Sequence, residues 1–434
     1  MNNTLLVRWG LGFALGITAL HAQALKPSGT SLQESEVPGW VLSATPACSA
    51  VLITPRVALT CGRPFQFRLL DGVFQRQTGR SWPMTPMGTH AVTQAGAPEV
   101  LGEIGLIRFQ DRLSALYGGP GNVPRARIPS YQKEKTLLTA GAATPLVVYG
   151  TDRAAGTGLL SLDARRTTQF HGSSQPSTPI VYRTWREVLA DEPSATFGSG
   201  LTDQDVDDMV LVVAPTVADR ARGLSSPIVP GPGSPDMGSG IFAQDASGEE
   251  WLVASVTSKA THLRLSHQMP WIYDRLMSEG LIADAVGLAK TVLGTGAWGD
   301  NDRRATVGDI YVRENPNGYD VEFFRLAAVG PDGRYGAFPT DRRDDLNWEY
   351  LGTRLPDREQ ATVPVKTWGT TDRHGVVGDL YIYANPYTRT VEYFRLKSLG
   401  SDGRYWYFPT DGKDNAWWTS LGTDLPTRRL KFAD

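Results

Sequence analysis

The residues best suited to chemistry lie in one glycine-rich run, residues 235–240, with the sequence Pro-Asp-Met-Gly-Ser-Gly. Ser239 carries a hydroxyl that an adjacent general base could activate for attack on a carbonyl. Met237 cannot take that role, because a thioether has no proton to give up and is no acyl-transfer nucleophile. A base working near neutral pH is most often histidine, and none of the six histidines lies in this run. Acyl transfer here would therefore depend on a base from elsewhere in the chain.

The run resembles the nucleophile loop of the trypsin-like serine proteases, Gly-Asp-Ser-Gly-Ser/Gly-Gly/Pro, with Met237 at the position of the serine. Other landmarks of that family follow in the family's order. Residues 48–60 resemble the first-barrel hairpin, residues 102–109 the Asn-Asp-Ile-Ala-Leu-Ile-Arg-Leu motif, residues 251–258 a strand after the nucleophile, and residues 267–276 the closing helix. The order base, acid, nucleophile is that of chymotrypsin-type enzymes.

The resemblance implies a mainly β protein with a double six-stranded β-barrel of trypsin-like type over residues 38–281 and a degenerate catalytic triad. Arg63 lies where the base should be, Glu103 at the orienting aspartate and Met237 at the nucleophile. A guanidinium stays protonated in proteins and cannot accept a proton. Pro235 has no N–H to donate in the oxyanion hole, and losing one such donor costs roughly 100- to 1,000-fold in rate. The resemblance therefore predicts a protease-like domain without catalytic activity.

An active secreted serine endopeptidase with an atypical site is the alternative. If the loop is out of register, Ser239 becomes the nucleophile. His90 is then the candidate displaced base, because it is the histidine between the two first-barrel landmarks. The specificity position of the family falls on Gly231, which offers no carboxylate for an Arg or Lys side chain. Asp236, which in the family pairs with the new N-terminus, is present.

Residues 1–24 have the pattern of a secretory signal peptide: one positive charge, an apolar stretch at residues 11–20, and an ending His-Ala-Gln-Ala with small residues at the cleavage positions. The apolar stretch is too short to span a bilayer, so secretion without membrane insertion is expected. Two cysteines in an exported protein are more often paired than free. Cys48 matches a family disulfide position and Cys61 lies in the same hairpin region, so a shifted bridge and two free cysteines are both open.

The composition limits the partners. With 434 residues and a formal net charge of −2, the chain has the size of a protein of two or more domains. It contains no basic run that would predict nucleic acid or an anionic membrane as a partner. No cofactor and no metal site are predicted.

The chain duplicates itself after about residue 290 without any gap. Matching pairs at one constant offset are Val307-Gly308-Asp309 with Val377-Gly378-Asp379, Phe324-Arg325-Leu326 with Phe394-Arg395-Leu396, and Trp348 with Trp418. Short aromatic and β-branched runs, such as residues 379–383 and 390–396, are bounded by Asn-Pro and Asp-Gly turn signals. Two small antiparallel β-modules are predicted, over residues 290–355 and 364–426.

The repeated pattern loosely resembles the small chitin-binding type of carbohydrate-binding module, with its Gly-Asp turn, aromatic pair and closing Trp-Xaa-Xaa-Leu-Gly. The resemblance implies that the repeats bind a glycan or a cell surface, because aromatic rings offer a flat apolar face to a pyranose. The predicted ligand-binding residues are Trp406, Tyr407, Trp417 and Trp418. The first three have no aromatic counterpart in the first repeat, whereas Trp418 recurs and is more typical of a core.

Together these features predict a secreted serine protease homologue without a catalytic triad, whose repeats bind a glycan and whose interbarrel cleft docks a peptide or partner protein. Three alternatives stay open at this level. The chain could be the active endopeptidase described above. It could be an adhesive protein that uses the protease body as a scaffold. The aromatic residues of the repeats could all be core residues, because so small a module has little else to bury. Alternatively, they could bind a protein.

Overall fold

The computed structural model describes most of the chain, and all structural statements concern these residues. They are residues 30–44, 48–62, 73–76, 81–93, 100–109, 113–114, 117–139, 144–153, 162–172, 178–193, 209–228, 236–257, 261–294, 305–314, 320–330, 332–362, 365–367, 373–407 and 409–423. The predicted signal peptide, Arg63, Gly231 and Pro235 lie outside them. The protein is mainly β with several antiparallel sheets, which confirms the predicted fold class at that level.

Six strands near the N-terminus pair into a ring in the order β2-β3-β4-β7-β6-β5, and β5 pairs back onto β2. Their bounds are β2 Val41–Ala44, β3 Cys48–Leu52, β4 Val57–Cys61, β5 Val73–Arg76, β6 Ser81–Thr93 and β7 Val100–Phe109. Strands β3 and β4 are apolar or β-branched at most positions and buried at every one. A closed ring leaves no unpaired strand edge. Strands β3 and β4 are therefore hydrogen-bonded on both sides, and their side chains are buried on both faces.

A seven-stranded antiparallel sheet follows, in the order β1-β9-β8-β13-β14-β15-β12. Its strands are β1 Thr30–Ser31, β8 Leu146–Arg153, β9 Leu162–Thr167, β12 Val210–Val212, β13 Gly240–Gln244, β14 Glu250–Ser255 and β15 Thr261–Arg264. Within the described ranges no pairing joins β1 to β12, so this sheet differs from the predicted second six-stranded barrel. The extra strand β1 comes from the N-terminal segment, where Thr30 pairs with Arg166. A two-stranded hairpin, β10 Gln169–Phe170 with β11 Thr178–Pro179, lies beside it.

The helices are short except for two near residue 280. They are α1 Tyr131–Leu137, α2 Trp185–Asp191, α3 Val217–Ala221, α4 Leu265–Ser278, α5 Ile282–Leu293 and α6 Arg358–Thr362, with 3-10 turns at Glu34–Glu36 and Pro120–Asn122. Ser130, Thr184 and Thr216 begin α1, α2 and α3 by accepting a hydrogen bond from the backbone N–H three residues on. Helix α4 spans the segment that resembles the closing helix of the protease family.

One large core joins the ring, the sheet and the two long helices. Trp40 lies between them, with its ring centroid 5.2 Å from that of Tyr149 and 4.5 Å from that of Phe242. Leu59 of the ring, Leu263 of the sheet and Ile272 of α4 belong to the same buried cluster. None of the described helices is both long and apolar enough to cross a membrane.

The two repeats form similar antiparallel sheets. The first contains β16 Ile310–Glu314, β17 Val321–Leu326 and β18 Trp348–Gly352; the second contains β19 Val365–Thr367, β20 Leu380–Asn385, β21 Thr390–Leu396 and β22 Trp418–Gly422. A register shift falls at the same place in both, between Phe323 and Phe324 and between Tyr393 and Phe394. The parallel strand β19, which pairs with β20, was not predicted. The duplication in sequence is thus a duplication of structure.

Both repeats pack on what precedes them through the same face. In the first repeat Phe323 reaches the body core, 5.5 Å from the ring of Tyr273 on α4. Its counterpart Tyr393 packs instead on Ala327 and Val307 of the first repeat. The first repeat therefore lies between the body and the second repeat.

Candidate functional site

The loop before β13 is pressed against the ring at the position where sequence predicted the nucleophile. The Ser49 N–H donates to the carbonyl of Met237 at 2.8 Å. Gly238 has φ 80°, and a Cβ there would lie 2.4 Å from the Ser49 carbonyl oxygen and 2.5 Å from the Cys61 nitrogen. Only glycine fits that approach. The loop is therefore held against the ends of β3 and β4.

The described side chains of this loop, residues 236–239, are buried or half-buried. Met237 is half-buried and packs on the ring cluster that contains Cys48 and Cys61, which form a disulfide with Cα atoms 6.2 Å apart. Ser239 is 1% exposed, and its Oγ has no hydrogen-bond partner among the described residues. Asp236 is fully buried. The hydroxyl proposed as an alternative nucleophile therefore faces the interior, away from any substrate.

Glu103 lies at the end of the ring beside Gly62, the residue before Arg63. A Cβ on Gly62 would be 2.4 Å from the Glu103 Cβ and 2.8 Å from its Oε2. The neighbouring Gly102 has equally little space, since a Cβ there would be 2.7 Å from Oγ1 of Thr257. The structure thus brings β7, the end of β4 and the segment after β14 together, and the loop of Met237 packs on β3 and on the same end of β4.

His90 is not placed as a displaced base for this site. In the ladder between β6 and β7 it pairs with Ile104, whereas Ala91 pairs with Glu103. Successive side chains of a strand point to opposite faces, so His90 and Glu103 lie on opposite faces of the ladder. The His90 ring stacks on Trp271 of α4, with 5.0 Å between centroids, and burial lowers the pKa of His90.

A second histidine, His262 on β15, is fully buried, and sequence reasoning gave it no role. Neither ring nitrogen has a partner among the described residues, and burial lowers the pKa of His262 to about 3. It pairs with Leu211 in the seven-stranded sheet. It is neutral in the folded protein and too enclosed to act on a substrate. Nothing in its local sequence distinguishes it from a surface histidine.

Sequence reasoning also missed a groove of about 830 Å³ between the β3–β4 turn, residues 120–128 and α5. Three arginines border it: Arg56, Arg125 and Arg127. Arg56 is tied to Asp284 of α5 by an ion pair, and Arg127 pairs with Glu249. The lining comes from segments far apart in sequence, so no local motif could have indicated it.

The second repeat displays three aromatic rings on its surface, which we call the aromatic surface: Trp406, Tyr407 and Trp417. Trp406 is 50% exposed and Tyr407 62% exposed, while Trp417 is half-buried. The centroids of Trp406 and Trp417 are 6.4 Å apart with their planes 34° apart, and Tyr407 is 6.4 Å from Trp406 at 64°. Three contiguous rings of this kind form an open apolar area that a sugar face can cover.

Trp418 does not belong to this surface, although it was predicted as a ligand-binding residue. It is fully buried, and its Nε1–H donates to the Trp406 carbonyl at 2.9 Å. Its ring packs against Tyr381 and Tyr405. Trp348 takes the same position in the first repeat, so both tryptophans are core residues, as their recurrence suggested.

The described residues of the first repeat form no comparable surface. Gly336 and Asn347 replace Trp406 and Trp417, and a Cβ on Gly336 would meet the Asn347 Oδ1 at 3.5 Å. The two small residues are neighbours, as the two tryptophans are in the second repeat. At these two positions the repeats therefore differ in their side chains, while both share three antiparallel strands.

No family model matches the chain.

Proposed function

We propose that the chain is a secreted serine protease homologue without catalytic activity, which binds a glycan through its second repeat. The observation that carries this proposal is the aromatic surface. Two of its three rings are half or more exposed, Trp406 at 50% and Tyr407 at 62%. Exposing apolar rings to water is unfavourable, so an exposed contiguous set favours a binding role.

The proximity of the predicted triad positions at one end of the ring supports a trypsin-like body. The six-stranded ring corresponds to the first barrel, and the seven-stranded sheet takes the place of the second. Glu103, the residue before Arg63 and the loop of Met237 meet at one end of the ring. With methionine and arginine at two triad positions, this end has neither a nucleophile nor a base. The predicted signal peptide and the disulfide fit an exported protein.

Absence of catalysis is tested directly with purified full-length protein. We expect no cleavage of casein and no labelling by a fluorophosphonate probe, because Ser239 is buried and its Oγ has no hydrogen-bond partner among the described residues. Ser239→Ala serves as the matched control and should behave like the unmodified protein. Labelling that disappears in Ser239→Ala would instead favour the active endopeptidase.

Glycan binding is tested by retention of the full chain on insoluble polysaccharide, with chitin as the first probe. Trp406→Ala and Trp417→Ala should each weaken retention, because each removes one ring of the aromatic surface. Tyr387→Ala is the matched control, since Tyr387 is 79% exposed in the same repeat but is not part of this surface. Equal loss in the control, or no loss in the two tryptophan variants, would contradict the proposal.

The half-buried Met237 at the end of the ring favours a second, independent proposal, that this end of the body docks a peptide or partner protein. A methionine at such a surface adapts to many apolar partners. Met237→Lys and Arg63→Glu should then reduce capture of that partner in a pull-down. A pull-down unaffected by both substitutions would count against it.

A further inference from the structure

A cationic residue is fixed against one ring of the aromatic surface. The guanidinium carbon of Arg373 lies 4.6 Å from the centroid of the Tyr407 ring, and its Nη2 lies 3.4 Å from the Tyr407 hydroxyl. An arginine stacked in this way is held by its flat face, so that donors at its edge stay directed along the ring plane. A sugar lying on Tyr407 would bring its ring substituents to that edge.

A second cation lies beside Trp406. Arg404 and Trp406 are both exposed, while Tyr405 between them is buried in the core, so the two side chains emerge on the outside together. The Arg404 side chain forms no ion pair within the described part of the chain. Its counterpart in the first repeat, Arg334, lies 4.0 Å from Asp332. The charge of Arg404 is therefore open to a ligand.

A third cation borders Trp417. Lys397 is exposed, and its backbone N–H donates to the Trp417 carbonyl at 2.7 Å. The corresponding residue of the first repeat is Ala327, which is buried against the second repeat. The lysine thus appears only in the repeat that carries the aromatic surface.

Both cations and acids lie close to the aromatic surface along the chain, and the whole chain has a formal net charge of −2. Three cations and the exposed His374 border the rings. Two acids close to the rings along the chain accept backbone hydrogen bonds: the Asp402 Oδ1 from the N–H of Arg404 at 3.1 Å and the Asp414 Oδ1 from the N–H of Ser420 at 2.8 Å. The overall charge would not attract a polyanion, so any attraction must come from the individual cations beside the rings.

From this arrangement, and resting on the proposed function, we propose that the bound glycan is an anionic polysaccharide whose pyranose rings stack on Trp406 and Tyr407 while their carboxylates meet Arg373 and Arg404. Arginine pairs with a carboxylate in bidentate geometry. A neutral polysaccharide would cover the rings and offer hydroxyl acceptors but no anionic group, so the desolvation of the cations would be offset less well. Single-stranded nucleic acid also combines stacking with negative charge, but the predicted export signal favours a polysaccharide outside the cell.

The test compares polygalacturonate with its fully methyl-esterified form, which keeps the sugar backbone and removes the charge. The full-length protein should bind polygalacturonate about tenfold more tightly, as expected for one or two charged hydrogen bonds. Raising the salt concentration should reduce that difference. Arg373→Gln and Arg404→Gln should each remove most of the preference, whereas Trp406→Ala should abolish binding to both polymers.

Arg334→Gln is the matched control, because it makes the same charge change at the equivalent position of the first repeat, and it should leave binding unchanged. Thermal unfolding midpoints of the variants equal to that of the unmodified protein would exclude loss of folding as the cause of weaker binding. Equal binding to both polymers, or retention on chitin but not on polygalacturonate, would contradict the proposal of an anionic ligand. Either result would still agree with the proposal that the repeat binds a glycan. Binding to no polysaccharide overturns both, and tighter binding to single-stranded oligo(dT) replaces the polysaccharide with nucleic acid.

Discussion

At the scale of single residues, burial decides which groups can act. Ser239 and His262 are the kind of residues that a search for catalysts would select, yet they are 1% and 0% exposed. Neither the Ser239 hydroxyl nor the His262 ring has a hydrogen-bond partner among the described residues. A buried polar group without a partner costs free energy. These residues therefore act on stability, and His262 does so in a pH-dependent way.

The folded pKa of His262 is about 3, below its ordinary value of 6.5. As the pH falls below 6.5, the unfolded state takes up a proton that the folded state cannot accept. The free energy of unfolding should therefore decrease between pH 6.5 and about 3, with a slope of up to about 1.4 kcal/mol per pH unit from this group. Above pH 6.5 the group makes no pH-dependent contribution.

Urea denaturation at several pH values measures this slope. In His262→Leu the loss of stability toward pH 4 should be smaller by the contribution of this one group. His374→Leu, at an exposed histidine, should keep the full slope. Parallel stability curves for the unmodified protein and His262→Leu would show that His262 is not buried in its neutral form.

At the scale of elements, the second repeat has two parts. Its sheet packs a hydrophobic core, and a surface segment outside the strands carries the rings of the aromatic surface. Strands β20, β21 and β22 bury Tyr381, Phe394 and Trp418, whereas Trp406 and Tyr407 lie in the connection between β21 and β22. Adjacent aromatic residues in sequence, such as Trp417 and Trp418, thus take different roles. Trp418 is the first residue of β22 and packs in the core, whereas Trp417 lies in the bend that precedes the strand.

Trp418→Ala and Trp406→Ala should therefore have different effects on the second repeat. Removing the buried Trp418 should lower the free energy of unfolding by about 3–5 kcal/mol, because it leaves a cavity among Tyr381 and Tyr405. Removing the half-exposed Trp406 should cost far less stability and affect ligand retention instead. Chemical denaturation of both variants is the measurement. Similar large losses in both would mean that Trp406 is also a core residue.

At the scale of the whole molecule, the repeats are attached in series to the body. Each uses the same sheet face to pack on its predecessor, as Phe323 and Tyr393 illustrate. Between the repeats, the 1% exposed Arg325 pairs with Glu349 at 2.9 Å and donates to the Tyr393 hydroxyl at 2.7 Å. The Tyr393 hydroxyl also bonds to Glu349. A buried charge network of this kind holds the two repeats in one relative position.

Glu349→Ala should destabilise this junction by about 3–5 kcal/mol, because it leaves the charge of Arg325 buried without its partner. Differential scanning calorimetry should then show the second repeat unfolding at a lower temperature than in the unmodified protein. Arg395→Ala is the control, since Arg395 is the exposed counterpart of Arg325 in the second repeat, and its effect should be small. An unchanged profile for Glu349→Ala would mean that the network contributes little to the junction.

The sequence alone determined the features that depend on local pattern. The predicted strand at residues 390–396 is β21, Thr390–Leu396, because β-branched and aromatic residues between turn signals favour an extended chain. The gapless repeat required two similar modules. The sequence left a bridge between Cys48 and Cys61 and two free cysteines both open, and the structure shows the bridge. The contrast between the repeats likewise indicated where three extra rings would lie.

Only the tertiary structure decided which of these groups meet solvent and which meet each other. The burial of Ser239 and Trp418, the placement of His90 on Trp271, and the joining of β1 to the seven-stranded sheet all depend on contacts between distant segments. The same is true of the cations around the aromatic surface. Local sequence sets the conformation of a strand. Which element packs on each face of that strand depends on the rest of the chain. The exposure of side chains and the geometry of a site therefore follow from the tertiary fold.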